Sequence, residues 1–419
     1  MEKKLTVAII GCGGRGARTY GRIMFNYFPD KYEIVSLCDI QPAVLALQSD
    51  ALNVKAENAF TDEKEFFKEK RADLLVIGTQ DQDHVRMTLK GLELGYDILV
   101  EKPLSSSRKE CTELLDAQKK SGKKVFVGHV LRYAPAFRKA DELLRSGAIG
   151  KLIAIDALEQ VWYGHQAHSF VRGNWRRDDE TTPMILAKCC HDLDLLQYYA
   201  GAKCVSISSV GDLTWFKPEN APEGSAERCL DCKYIDSCPY SAKRIYIERL
   251  RRNPKYDFSR IITYPKDLTE ENVWQALKEG PYGRCVYHCD NNVVDHQLST
   301  MTFENGVKAS LTMTAFTGNG GRIYKFHGSL GEVILDEEAG IVKLKQFDRD
   351  DTVWSIKDLI ESESGGHGGG DYILTSEIYD MLCGKEMLRT SLEASIESHL
   401  MGIAAEESRL EGGTLKKVH

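Results

Sequence analysis

The 419-residue chain has no apolar run near the ~20 residues that a membrane-spanning helix needs. It has no basic surplus: 55 Lys and Arg stand against 62 Asp and Glu, a net charge of −7. A general nucleic-acid binder would carry the opposite balance. No internal repeat is evident, and low complexity is confined to Gly365–Asp371, GGHGGGD. Proline is sparse, 11 in all. The opening MEKKLTVAII is too short in apolar residues for a signal-peptide core and has no small-residue cleavage site. The expectation is a cytoplasmic protein whose first strand starts there.

What is present is ordinary for a folded protein, with 42% hydrophobic and 28% charged residues. At ~100–200 residues per domain, two or three domains are expected. Cysteine is plentiful, at 12. Cys12, Cys38, Cys111, Cys189, Cys190, Cys204 and Cys383 are scattered, as free thiols in a reducing compartment would be. The other five crowd between Cys229 and Cys289.

The first part alternates two periods. LTVAII, EIVSLCD, DLLVIG, DILVE and KVFVG read as strands buried on both faces, with helical stretches such as DHVRMTLKGLELG and RKECTELLDAQKKSG between them. That alternation predicts a parallel sheet covered by helices, over residues 1–127. From 128 to 419 the pattern predicts a second α/β domain. It holds a strand at KLIAIDALEQV, a helix at CHDLDLLQYYAG, a largely antiparallel run of strands over 296–357, and helices from Asp371 to Leu410. Residues ~213–290 interrupt it with the Cys cluster and much of the proline, and read as an insertion with few large apolar residues.

Gly11-Cys12-Gly13-Gly14-Arg15-Gly16 follows a strand-like run and opens a helix-like one. That context suits dinucleotide binding. The first glycine allows a tight turn, the second lets backbone approach a pyrophosphate, and the third lets helix pack on strand. The helix N-terminus then faces the phosphates. Asp39 ends the next strand-like run, where a carboxylate bonds both ribose hydroxyls and repels a 2′-phosphate. NAD is therefore expected rather than NADP.

Glu101-Lys102-Pro103 follows the strand DILV. With the Gly-rich turn, Asp39 and VIGTQDQDHVRMTLKGLELGYDILVEKP, the chain resembles the Gfo/Idh/MocA family of NAD(P)-dependent sugar and inositol oxidoreductases. The resemblance covers residues 1–210 and resumes from His296; the insertion lies outside it. It implies a Rossmann domain followed by an α/β domain with a large, mostly antiparallel open sheet. That sheet would line the substrate site and join copies into a homodimer or homotetramer. Thr79, Gln80 and His84 match positions flanking the cofactor, and Glu101 and Lys102 the pair nearest the nicotinamide. Arg132 matches a position close to the substrate crevice.

Oxidising an alcohol requires a hydride path and a base for the hydroxyl proton. Lys102 and His191 are the candidates, His191 for its ordinary pKa near neutrality. The family carries an Asp four residues before the His, and here that position is Ala187. Lys188 stands three before His191. It replaces the Asp as a substrate clamp, tunes His191, or pairs with Asp192. The stretch VWYGHQAHSFVRGNWRRDD offers His165, His168, Arg172, Trp175 and Arg176 for stacking and bidentate bonding to a sugar. His367, in the Gly-rich loop, is expected to reach the substrate, with Asp371 capping the helix after it.

Cys229-x2-Cys232, then Cys238 and the distant Cys285, has the pattern of a four-cysteine structural zinc site, with Cys289 the alternative fourth ligand. An iron–sulfur cluster, a redox disulfide and free thiols are the other readings.

The leading expectation is an NAD-dependent oxidoreductase acting on a sugar, sugar derivative or cyclitol. A redox-neutral glycoside-cleaving enzyme that works through a 3-keto intermediate is the alternative. A non-catalytic NAD sensor is the third.

Overall fold

The computed structural model describes residues 3–360, 366–385 and 390–419. Gly365, the first residue of the Gly-rich loop, lies outside them.

Six strands form the first sheet: β1 (Leu5–Ile10), β2 (Tyr32–Cys38), β3 (Ala59–Phe60), β4 (Leu74–Ile77), β5 (Asp97–Val100) and β6 (Val125–Val127). All its pairs are parallel, in the order β3-β2-β1-β4-β5-β6. This is the doubly wound order, and it reverses direction beside β1, where a crevice opens at the carboxyl ends of the strands. The central strands are apolar on both faces because helices cover both. Only the two-residue edge strand β3 falls outside the runs read from sequence.

The second sheet has nine strands. They are β7 (Leu152–Gln160), β8 (Cys204–Asp212), β9 (His296–Phe303), β10 (Lys308–Thr314), β11 (Gly321–Gly328), β12 (Gly331–Asp336), β13 (Ile341–Gln346), β14 (Thr352–Ser355) and β15 (Lys416–Lys417). β7 lies between β10 and β11, and only the β7–β10 ladder is parallel. Strands β8 to β12 alternate buried and more exposed residues, so one face meets the helices and the other is open. The helix Leu392–Leu410 packs on β8 and on the helix Cys190–Ala200.

The C-terminal part does not stay with the second sheet. Helix Gly370–Leu382 buries Leu374, Ile378 and Tyr379 in the apolar core that holds Val7, Tyr20 and Tyr32. It begins at Gly370, one residue before Asp371, so Asp371 is free of the capping task expected of it.

Residues 213–290 form short helices and loops around their own core, which includes Phe216, Ile245, Tyr246, Leu250, Val273, Leu277 and Tyr287. Ala167, Val171 and Ala315 join it from the second domain. The expectation of an apolar-poor insertion is thereby corrected. Its aromatics were spread thinly along the chain and only folding brings them together.

Arg132, expected near the substrate crevice, is buried against Asp194 through Nε at 2.6 Å and Nη2 at 2.5 Å. The pair lies inside the second domain's contact with the end of the Rossmann sheet. Breaking a buried pair leaves an uncompensated charge, at a cost of about 3–5 kcal/mol. Asp194→Ala is therefore expected to lower the urea midpoint markedly, read by tryptophan fluorescence. A shift of under ~0.5 kcal/mol, as for a surface change, would contradict this role.

Candidate active site

The Gly-rich turn has the shape a dinucleotide needs. Gly11 sits at φ +85°, and a Cβ there would lie 2.5–2.6 Å from the backbone of Gly78 and Thr79. A Cβ on Gly16 would lie 1.9 Å from the Gly11 carbonyl oxygen. At Gly13 and Gly14, by contrast, nothing stands within 4 Å of such an atom. Backbone there is open to approach by a pyrophosphate, while its neighbours are locked. Asp39 Oδ2 accepts from the Cys12 N–H at 2.8 Å, so the carboxylate is tied to the turn it serves.

Arg15, from the same turn, is turned inward. Its Nε donates to Glu101 at 2.8 Å, and Nη2 donates to Asp371 at 2.6 Å and to Tyr20 Oη at 2.8 Å. Tyr20 in turn donates to Glu101 at 2.7 Å. Burial alone would push the Glu101 carboxyl up, but Arg15 and Lys102 hold it below the usual carboxylate range. Asp371, which also meets His367 Nδ1 at 3.1 Å, is held low in the same way. His84 is engaged differently: its ring nitrogens lie 2.7 Å from the Pro103 carbonyl and 3.2 Å from that of Thr79. It ties together the loops after β4 and β5. Thr79 is partly exposed and Gln80 exposed at the mouth of that loop.

Lys102, just after β5, donates to the Ala187 carbonyl at 3.1 Å. That contact brings it to the break between helices Met184–Ala187 and Cys190–Ala200. His191 lies in the first turn of the second helix and is buried. Its ring centroid is 6.0 Å from that of His367 and 6.0 Å from that of His129; His129 is 5.9 Å from His399. His367 itself sits at φ +52°, on a loop that continues through Gly368 and Gly369 at positive φ. Burial, then Lys102 and Arg322, hold the His191 pKa well below the ordinary value. His191 is thus neutral at physiological pH, and a neutral imidazole carries one acceptor nitrogen.

Lys188 turns toward the second sheet. It does not pair with Asp192. Its Nζ lies 3.1 Å from Glu159 Oε1, at the end of β7, and Arg322 Nη2 lies 2.7 Å from the other oxygen. Asp192 is taken by Arg322 at 2.9 Å and by Tyr324 Oη at 2.8 Å. Burial pushes the Glu159 carboxyl up, against the pull of Arg322 and Lys188. His165 lies within the field of both Lys188 and Lys102, which add to burial in pushing its pKa down.

The remaining residues of the Trp/His/Arg stretch face elsewhere. His168 is stacked between Phe258 at 4.2 Å and Tyr282 at 4.7 Å, and its Nδ1 meets Tyr246 Oη at 2.9 Å. Arg172 is buried beside the Cys cluster, bonded to the carbonyls of Arg284 and Tyr240. Trp175 donates to Asp81 at 3.1 Å, and Arg176 pairs with Asp290 at 2.9 Å. The stretch mainly anchors the insertion, while His165 lies near Lys102 and Lys188 and also packs against Phe258 of the insertion. Among the described residues, no group of three or more His, Cys, Asp or Glu converges to hold a metal ion. The zinc expectation finds no support, since Cys229, Cys232, Cys238 and Cys285 surround a cavity instead of one ion position.

Sequence reasoning missed Glu159, Arg322, His129 and Tyr20. Glu159 had a signal, a carboxylate on an apolar strand. The others carry none without the fold.

A family model described as oxidoreductase family, NAD-binding Rossmann fold, matches residues 5–129. Its C-terminal α/β partner matches residues 141–416. The chain belongs to the Gfo/Idh/MocA oxidoreductase family. It is 24% identical to the oxidoreductase YteT of Bacillus subtilis (strain 168), over 98% of this chain and 96% of that protein. It is 26% identical to an inositol 2-dehydrogenase of Corynebacterium glutamicum (strain R), over 49% of this chain and 57% of that protein. Its fold is similar to levoglucosan dehydrogenase in complex with NADH and L-sorbose, with a TM-score of 0.72 and 17% identity over 100% of this chain and 99% of the other. The open backbone at Gly13 and Gly14 and the placement of Asp39 fit NAD, whose binding the family model describes. No helix among the described residues is long and apolar enough to cross a membrane.

Two outcomes are expected. Asp39→Ala should weaken NAD binding more than NADP binding, read by titration of cofactor fluorescence quenching; equal losses would remove Asp39 from ribose recognition. Second, burial holds His129, His165 and His191 well below the ordinary pKa, His168 down at about 3 and His399 at about 4. Between those values and the unfolded value of about 6.5, the unfolded chain binds more protons. Stability is then full above pH ~6.5 and falls as pH drops through it. The urea midpoint should fall between pH 7 and pH 5, and an unchanged midpoint would contradict the neutral assignments.

Proposed function

We propose that the protein oxidises a hydroxyl of a sugar, sugar derivative or cyclitol, or reduces the matching ketone. The observation that carries this reading is the convergence of Lys102, neutral His191 and His367 at the carboxyl ends of the Rossmann strands. Ligands of doubly wound folds bind at that edge. Bound NAD supplies the hydride acceptor.

The chain's own residues supply the rest. The Lys102 ammonium donates to the reacting oxygen and stabilises the negative charge that grows there. The neutral imidazole of His191 accepts the hydroxyl proton. His367, oriented by Asp371, donates to a neighbouring hydroxyl. Lys188, braced by Glu159, and His165 form the wall opposite, in the place where the family carries an Asp. The Lys188 charge is balanced by Glu159, so this wall offers hydrogen-bond donors with little net charge. The exposed Ile153, Val205, Val210 and Leu298 on the second sheet support packing of copies through that sheet.

The assay is NAD with a panel of free sugars, cyclitols and aryl glycosides, following NADH and aglycone together. NADH accumulating on a free sugar or cyclitol is the expected result. Aglycone release that needs NAD without NADH build-up would replace this reading with redox-neutral glycoside cleavage. Lys102→Ala should cut kcat by ~10²–10⁴-fold and leave NAD binding intact. A near-normal rate would remove Lys102 from the chemistry.

A further inference from the structure

The insertion contains a second polar site, independent of the oxidoreductase chemistry. Cys229, Cys232, Cys238 and Cys285 line one cavity, walled otherwise by Tyr234, Tyr240, Ile235, Val286 and Tyr287. All four are free thiols. They come from two segments: three cysteines within ten residues, and a fourth delivered from beyond the helices that follow them. The backbone joins these segments, with the Cys285 N–H donating to the Glu227 carbonyl at 2.8 Å and a bridge pairing Arg228 with Arg284. Each of the four opens a tight turn. Their carbonyls accept from the N–H groups of Cys232, Ile235, Ser241 and His288 respectively.

Arg172 is the second, independent observation. Its side chain is 1% exposed and lines the same cavity. Nε donates to the Arg284 carbonyl at 2.7 Å, and Nη2 to the Tyr240 carbonyl at 2.8 Å and the Cys229 sulfur at 3.5 Å. Nη1 is buried with no partner. None of these partners is a carboxylate. A buried guanidinium without an anion is costly, and four neutral thiols do not supply one. Four thiolates on a metal centre do.

We propose that Cys229, Cys232, Cys238 and Cys285 bind a [4Fe–4S] cluster, with Arg172 donating to its sulfur atoms. A single zinc holds its sulfurs at about 2.3 Å from one point, and these four do not converge that way. A cubane cluster puts each thiolate on its own iron, so its ligands stand around a space instead of a point. Cys289 is not among the ligands: its sulfur is turned onto the Cys285 carbonyl at 3.1 Å.

The test is full-length protein purified anaerobically without a His tag, and the same protein reconstituted with ferrous iron and sulfide. Iron, acid-labile sulfide and zinc are measured, with the visible spectrum before and after dithionite. About four iron and about four sulfide per chain are expected, with a broad visible absorbance that bleaches on reduction. Cys238→Ser should lose most of both. Arg172→Gln, which keeps all four thiols, should give up iron to a chelator several-fold faster. Cys383→Ser, at an exposed cysteine outside the insertion, should retain the full complement. One zinc per chain, iron without sulfide, no metal after reconstitution, a disulfide among the four cysteines, or full loading of Cys238→Ser would each overturn the proposal.

Discussion

Arg15 is the contact on which the rest of the active site depends. One guanidinium holds Glu101 at the end of β5 and Asp371 at the start of a helix 356 residues further along the chain. Through Glu101 it positions the loop that carries Lys102. Through Asp371 it positions the His367 loop. Both carboxylates are buried, so their desolvation must be offset, and Arg15 is the charge they share, with Lys102 adding to it at Glu101 and His367 at Asp371. The Gly-rich turn after β1 therefore also fixes the loop that carries Lys102 and the loop that carries His367. This coupling requires the C-terminal helix to return to the Rossmann domain, as its apolar face does.

The second domain supplies charge in compensated sets. Lys188 and Arg322 face Glu159 and Asp192, all at the sheet edge next to His165 and His191. Neutral histidines fill the space between. The result is a cluster in which each of these cations has a carboxylate partner. The histidines carry a consequence for stability, because each is buried in the neutral form and must take up a proton to unfold in acid.

The insertion follows different logic. Its apolar side chains form a small core, and His168 and Arg172 reach into it from the second domain. Residues that look like sugar-binding groups in the linear sequence are here fastenings. A stacked imidazole and a fully buried guanidinium hold the insertion to the sheet, and the guanidinium also faces the four thiols.

The local backbone patterns were legible without coordinates. Strand runs, the glycine spacing, Asp39, the EKP turn and the separate character of residues 213–290 each depend on neighbours close in sequence, and hydrophobic period and backbone sterics decide them. Partners of long polar side chains were not legible in that way. Lys188 could reach Asp192 on its own helix, yet it binds Glu159 on a strand. Arg132 and Arg172 carried the right chemistry for a sugar but were claimed by Asp194 and by the thiol-lined cavity. A buried charge takes whichever counter-charge the packed elements bring within ~4 Å, and that is set by the meeting of distant segments. The sequence by itself determined the cofactor-binding fold and its family. Tertiary structure alone decided which cations and histidines gather around Lys102 and His191, because only packing settles which buried groups must neutralise one another.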